Sequence, residues 1–117
     1  SAADDIKAMK ENPSKYGIPT VRVVKSDTGN TIADTWADLF ATLTDTLEHL
    51  GAATDFWWSG SASDLAYDVD ASCGGWLSDS NKLDGAEGAH NNAAYPTWIR
   101  RGTRNCNNPL QVLCVCW

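Results

Sequence analysis

Apolar residues are laid along this chain in short patterned runs separated by polar, turn-rich stretches. Between Thr35 and Leu50 they fall at Trp36, Leu39, Phe40, Leu43, Leu47 and Leu50, a spacing that follows one face of an α-helix. Thr35 suits the N-cap and Gly51 the stop, while Thr42, Thr44 and Thr46 weaken the second half, so the helix is expected to fray or break after Phe40. A shorter surface helix is predicted over Asp4 to Glu11, with Ile6, Ala8 and Met9 among charges, ending before Asn12-Pro13.

Strand patterns are briefer. Ile18 to Val24 is β-branched, with Pro19 near its start, and Ser26-Asp27-Thr28-Gly29-Asn30 makes the following turn. Phe56-Trp57-Trp58 reads as an aromatic strand closed by Ser59-Gly60, one tryptophan entering the core and the other covering a second surface. Tyr95 to Ile99 and Leu110 to Val115 are the last two strand candidates. Between Leu77 and Asn92 periodicity vanishes among turn formers, which predicts a long loop, the kind of segment where binding residues concentrate. Neither repeats nor a linker divide the chain, so residues 1–117 are expected to form a single domain.

Charge and cysteines narrow the function. A net charge of −6, with basic residues clustered only at Arg100, Arg101 and Arg104, argues against nucleic-acid binding, and no apolar run approaches the ~20 residues of a membrane span. All four cysteines, Cys73, Cys106, Cys114 and Cys116, lie in the C-terminal part without zinc-ligand spacing, which points to disulfides in a secreted or cell-surface protein. Ser1-Ala2-Ala3-Asp4 is not a signal peptide, so a processed form is expected.

Taken in order, Cys73-Gly74-Gly75-Trp76-Leu77-Ser78-Asp79, Gly85 and Gly88, Trp98, Asn105-Cys106-Asn107-Asn108 and Leu113-Cys114-Val115 resemble the C-terminal half of endostatin-like domains. These are a branch of the C-type-lectin-like fold found in animal collagen tails and bacterial surface lipoproteins. Gly17-Ile18-Pro19-Thr20-Val21 and the stretch Ile32 to Phe40 are similar to the segments preceding that half, and the bacterial branch fits best around Trp36 and Cys73. The resemblance implies an α+β domain with a twisted, mostly antiparallel sheet, one or two helices and a long loop region. It also implies a Cys73–Cys106 bridge, worth roughly 3 to 4 kcal/mol in the chain-entropy view. The family's N-terminal strand and helix, whose cysteine normally pairs at the position of Cys114, have no counterpart here. Cys114 is then expected to find its partner on another polypeptide, or to remain a free or intermolecular thiol; a ring with Cys116 on the same strand face would be strained. The calcium-binding tripeptides of sugar-binding C-type lectins are missing: Asn108-Pro109 lacks the preceding carboxylate, and Trp98 is followed by Ile99-Arg100.

The remaining chemistry is thin. Asp79, Asn81, Asp84 and Glu87 offer oxygen ligands but miss EF-hand spacing at Leu83, and Asp64, Asp68 and Asp70 are a similar acidic group, so no metal or other cofactor is expected. His49 and His90 lie far apart in the chain, and no nucleophile or phosphate-loop motif stands out, so the chain reads as a non-enzyme. The expectation is an extracellular, adhesin-like, calcium-independent binding module for a protein or glycan at a cell surface or matrix. Its candidate contacts are Asn81, Asp84, Glu87, Asn91, Asn92, Tyr95, Arg100 and Arg101. The alternative is a structural subunit of a surface assembly, completed by a strand or disulfide from another polypeptide or by self-association through Cys114 and Cys116.

Overall fold

A computed structural model describes residues 4–117; Ser1-Ala2-Ala3 of the N-terminal stretch lies outside them. The first helix, α1 (Ile6–Glu11), forms where expected: the Asp5 carboxylate accepts from the Ala8 N–H at 2.7 Å, and Asn12-Pro13 ends it. Ile6 and Met9 pack on the core, and the Met9 carbonyl accepts from Trp36 Nε1 at 3.2 Å.

The predicted strand Ile18 to Val24 shrinks to its end. Only β1 (Val24–Lys25) pairs, antiparallel with β2 (Thr31–Ala33), across the Ser26–Asn30 turn, where Ser26 N–H donates to Asn30 O at 2.9 Å. Ile18 is buried, but Val21 is 86% exposed, so β-propensity here is not matched by burial.

The helix expected over Thr35 to Leu50 is absent. In its place a single 3₁₀ turn spans Asp38–Phe40, capped by Thr35 Oγ1, which accepts from Asp38 N–H at 3.2 Å. The chain then extends at Ala41. Its backbone turns outward for partners: Leu43 N–H donates to Ala93 O at 2.9 Å, and Glu48 N–H to His90 O at 3.0 Å. A last turn closes at Gly51 (φ 73), with Ala52 N–H to Leu47 O at 2.8 Å and Gly51 N–H to Glu48 O at 3.1 Å, the bonding of a helix C-terminus without its helix. The apolar residues nonetheless reach the core: Trp36, Leu39, Phe40, Leu43 and Leu47 are all buried.

The main sheet runs β3 (Trp57–Trp58), β4 (Asp84–Gly88), β5 (Gly102–Asn105), antiparallel throughout. Trp57 enters the core and Trp58 is half-buried on the other face, as adjacent strand positions require. The central strand β4 lies inside the stretch expected to be a long loop. Its small residues are needed because large rings cover it: a Cβ at Gly88 would sit 2.4 Å from Trp57 Cε2, and one at Gly85 2.7 Å from Trp58 Cζ3. Before β4 comes a four-residue helical turn, α2 (Cys73–Trp76), tied by the expected Cys73–Cys106 disulfide, whose Cα atoms are 5.6 Å apart.

Two further strand expectations give way. Tyr95 to Ile99 forms a turn through the cis Tyr95–Pro96 bond, with Trp98 N–H on Ala94 O and Ile99 N–H on Pro96 O. From Leu110 to Val115 only Gln111 bridges, parallel to Trp57, with Trp58 N–H donating to Gln111 O at 2.8 Å. The result is a small α+β domain with two helices and two antiparallel sheets. Among the described residues no helix is long and apolar enough to cross a membrane.

Candidate functional site

The contacts nominated by sequence separate into three groups. Glu87 on β4 and Arg101 before β5 meet. The Glu87 side chain is 1% exposed and accepts from Arg101 Nη1 at 2.5 Å and from Arg104 Nε at 2.6 Å. Both guanidiniums lie over the Phe56 ring, at 4.6 and 5.1 Å from its centroid, and His90 meets that ring edge-on at 4.8 Å. Hydrogen bonding to Glu87 holds Arg104 above its ordinary pKa. A carboxylate sealed beneath two cations is occupied, and it offers no free acid or base to a substrate.

The second group is consumed by loop structure. Asn105 Nδ2 donates to Asn81 O at 3.2 Å and to Asp84 Oδ1 at 3.0 Å, and Asn92 Oδ1 accepts from Ala94 N–H at 2.9 Å. Asn91 stays exposed. The third group points elsewhere. Arg100 donates to Gly102 O and to Asp68 Oδ2, while Tyr95 packs on the core with Lys10 Nζ 5.6 Å from its ring centroid. The eight nominated residues therefore do not line one site. Phe56 and Arg104, which complete the Glu87 cluster, were read as part of an aromatic strand and of a basic cluster but not as contacts, because only sheet register brings them to Glu87.

The histidines and acidic groups are equally dispersed. His49 Nδ1 lies 2.9 Å from Asp45 Oδ1, and His90 Nε2 lies 3.9 Å from Glu48 Oε2; His90 Nδ1 is buried without a hydrogen-bond partner among the described residues. Among the described residues no group of three or more His, Cys, Asp or Glu is placed to hold a metal ion.

A larger feature opens on the opposite side of β3. Beyond Gln111, the backbone of Val112 to Trp117 makes no hydrogen bond among the described residues; the tail is held by Leu113 packed on the core and by Trp117 Nε1 donating to Tyr16 O at 3.0 Å. Between this tail and the β1–β2 hairpin lies a groove of about 930 Å³. Core side chains, including Ile32, Trp36, Leu39 and Trp57, form its floor, and Val23, Val24, Val112 and Val115 line its walls. Val112 is 69% exposed and Trp117 57%, so the tail's apolar side chains are left uncovered while the floor residues stay buried. Cys114 and Cys116 belong to the same lining and are free and exposed. The groove thus brings together unpaired tail backbone, apolar side chains and two free thiols. Sequence pattern hid it, because an alternating apolar tail reads the same whether its neighbour strand is present or not. No known protein family, curated protein or solved structure matches the chain.

Proposed function

We propose that this chain is a non-enzymatic, extracellular interaction module of the C-type-lectin-like kind, completed at the groove by an extended strand from another polypeptide. The observation that carries the reading is the unpaired Val112–Trp117 backbone beside an uncovered apolar groove. A strand laid along that edge satisfies the idle backbone groups and covers Val112 and Val115, each worth about 1.5 to 3 kcal/mol when fully buried. That Cys114 and Cys116 are free and exposed supports a covalent link to such a strand. The Cys73–Cys106 bridge supports an oxidising, secreted or cell-surface setting.

Intact mass of native material, with and without reductant, tests this. Release of a second polypeptide on reduction, lost in Cys114→Ser or Cys116→Ser, is the expected result. A native mass equal to the single chain, together with no binding of extended apolar peptides to the reduced domain, rejects it. An adhesin-like role toward a soluble protein or glycan is the second reading, favoured by the half-exposed Arg101, which Phe56 and Glu87 hold in a fixed pose. Arg101→Ala should then abolish ligand capture without changing assembly.

A further inference from the structure

Four consecutive residues in α2 lie in the left-handed region: Cys73 (φ 51), Gly74 (φ 64), Gly75 (φ 71) and Trp76 (φ 66). Side-chain-bearing L-residues avoid this conformation, and Cys73 and Trp76 adopt it only because their surroundings enforce it. Cys73 is held by its bridge to Cys106, Ser72 Oγ accepts from Gly75 N–H at 3.2 Å, and Trp76 N–H donates to Ser72 O at 2.6 Å.

The enforced turn does not bury its tryptophan. Trp76 is 45% exposed, and its ring rests against Gly60, where an added Cβ would lie 2.6 Å from Cζ2. Trp58 rests in the same manner on Gly85, and the two indoles meet at 6.0 Å with a 59° tilt. Leu83 and the half-buried Tyr67 flank the turn, Leu83 Cδ1 lying 3.5 Å from where a Cβ would stand at Gly74 and the Tyr67 hydroxyl 3.9 Å from one at Gly75. Among the described residues the Tyr67 hydroxyl makes no hydrogen bond.

We infer that Trp76 and Trp58 form a rigid platform for a neutral pyranose ring of a glycan. The C–H face of a pyranose carries partial positive charge and complements the electron-rich face of an indole, while its hydroxyls need acceptors at the rim. The Tyr67 hydroxyl, 3.9 Å from where a Cβ would stand at Gly75 in the same turn, supplies such a group, and the net charge of −6 disfavours an anionic ligand. Groove residues include neither tryptophan, so this site stands independently of strand completion.

The test titrates the intact, disulfide-bonded chain with cellotetraose, chitotetraose, maltotetraose and mannotetraose, reading the indole N–H signals by NMR. A saturable shift of the Trp76 and Trp58 indoles at about 1 mM of at least one sugar is expected. Trp76→Ala should weaken that binding at least about tenfold, Trp76→Phe should weaken it less, and Trp117→Ala should leave it unchanged. No shift with any of the four sugars overturns the inference, as does a shift with tetramethylammonium alone, which would make the corner a cation site. Because the isolated chain is used, failure here leaves the strand-completion reading untouched.

Discussion

The two sides of β3 are finished to different degrees. Toward β4 and β5, the strands pair residue for residue, Glu87 is satisfied by two arginines, and a disulfide ties α2 to the residue following β5. Toward the tail, pairing stops at Gln111, and valines and a tryptophan stand in solvent beside the core. Burial of apolar surface stabilises both sides, yet only one has used the surface available to it. An unpaired edge with exposed apolar side chains is the feature on which the proposed strand completion rests.

The largest expected effect comes from unpicking the finished side. Replacing Cys73 and Cys106 together by Ala reopens a loop with a sequence separation of 33, which the chain-entropy relation values at about 4 kcal/mol. Urea unfolding should show that loss. A loss below about 1 kcal/mol would mean the sheet side is held by packing alone.

Next is Glu87→Ala. Breaking a buried ion pair costs about 3–5 kcal/mol, and the lower end applies because both guanidiniums keep partial access to water. The double variant with Arg104→Ala should recover part of the loss, a coupling that a double-mutant cycle measures. Gly88→Ala follows, at about 1–3 kcal/mol, since its Cβ would press on Trp57 and on the Trp98 carbonyl, 2.5 Å away.

That last position shows why β4 was illegible. Sequence reasoning looks for large apolar or alternating residues in a strand, but Asp84-Gly85-Ala86-Glu87-Gly88 is covered by rings and sulfur from its neighbours, so the strand itself has to be small. The helical spacing from Trp36 to Leu47 erred in the opposite sense. It named the buried residues correctly but not their backbone, because Leu43 and Glu48 donate to Ala93 and His90 where helical bonds were expected. Local features survived best. The end of α1 before Asn12-Pro13, the Ser26–Asn30 turn and the Gly51 stop depend on residues within a few positions of one another. The Cys73–Cys106 pair was read from family resemblance. The Glu87–Arg101–Arg104 cluster depends on sheet register, which no spacing along the chain reveals.

On the unfinished side the expected stability change is small and the binding change large. Val115→Asp places a charge where the side chain is already 49% exposed, so urea stability of the isolated domain should move by no more than about 0.5 kcal/mol. Capture of a partner strand should weaken at least about tenfold, because a carboxylate would have to be buried against the groove floor. If the variant instead unfolds the domain, the tail belongs to the finished core and the contrast between the two sides fails.

The smallest effect is acid sensitivity, and it falls among exposed groups outside the main sheet. Asp45 is held below its ordinary value of 3.8 chiefly by the Thr46 N–H and then by His49, and Asp64 by the Ala66 N–H and then by Lys7. A carboxylate whose folded pKa is depressed stabilises the fold fully above its unfolded value. That contribution is lost as the pH drops below 3.8 toward the folded one. Asp45→Asn with Asp64→Asn should therefore be slightly less stable than the parent at pH 7. The difference should close once the parent's own carboxylates are protonated, and salt should shrink it at neutral pH because both groups are solvated. The Thr46 and Ala66 amides, which donate to these carboxylates, should lose hydrogen-exchange protection on acidification before the β4 amides do. If β4 opened first, the paired sheet would be less stable than these loops, and its standing as the finished side would fail.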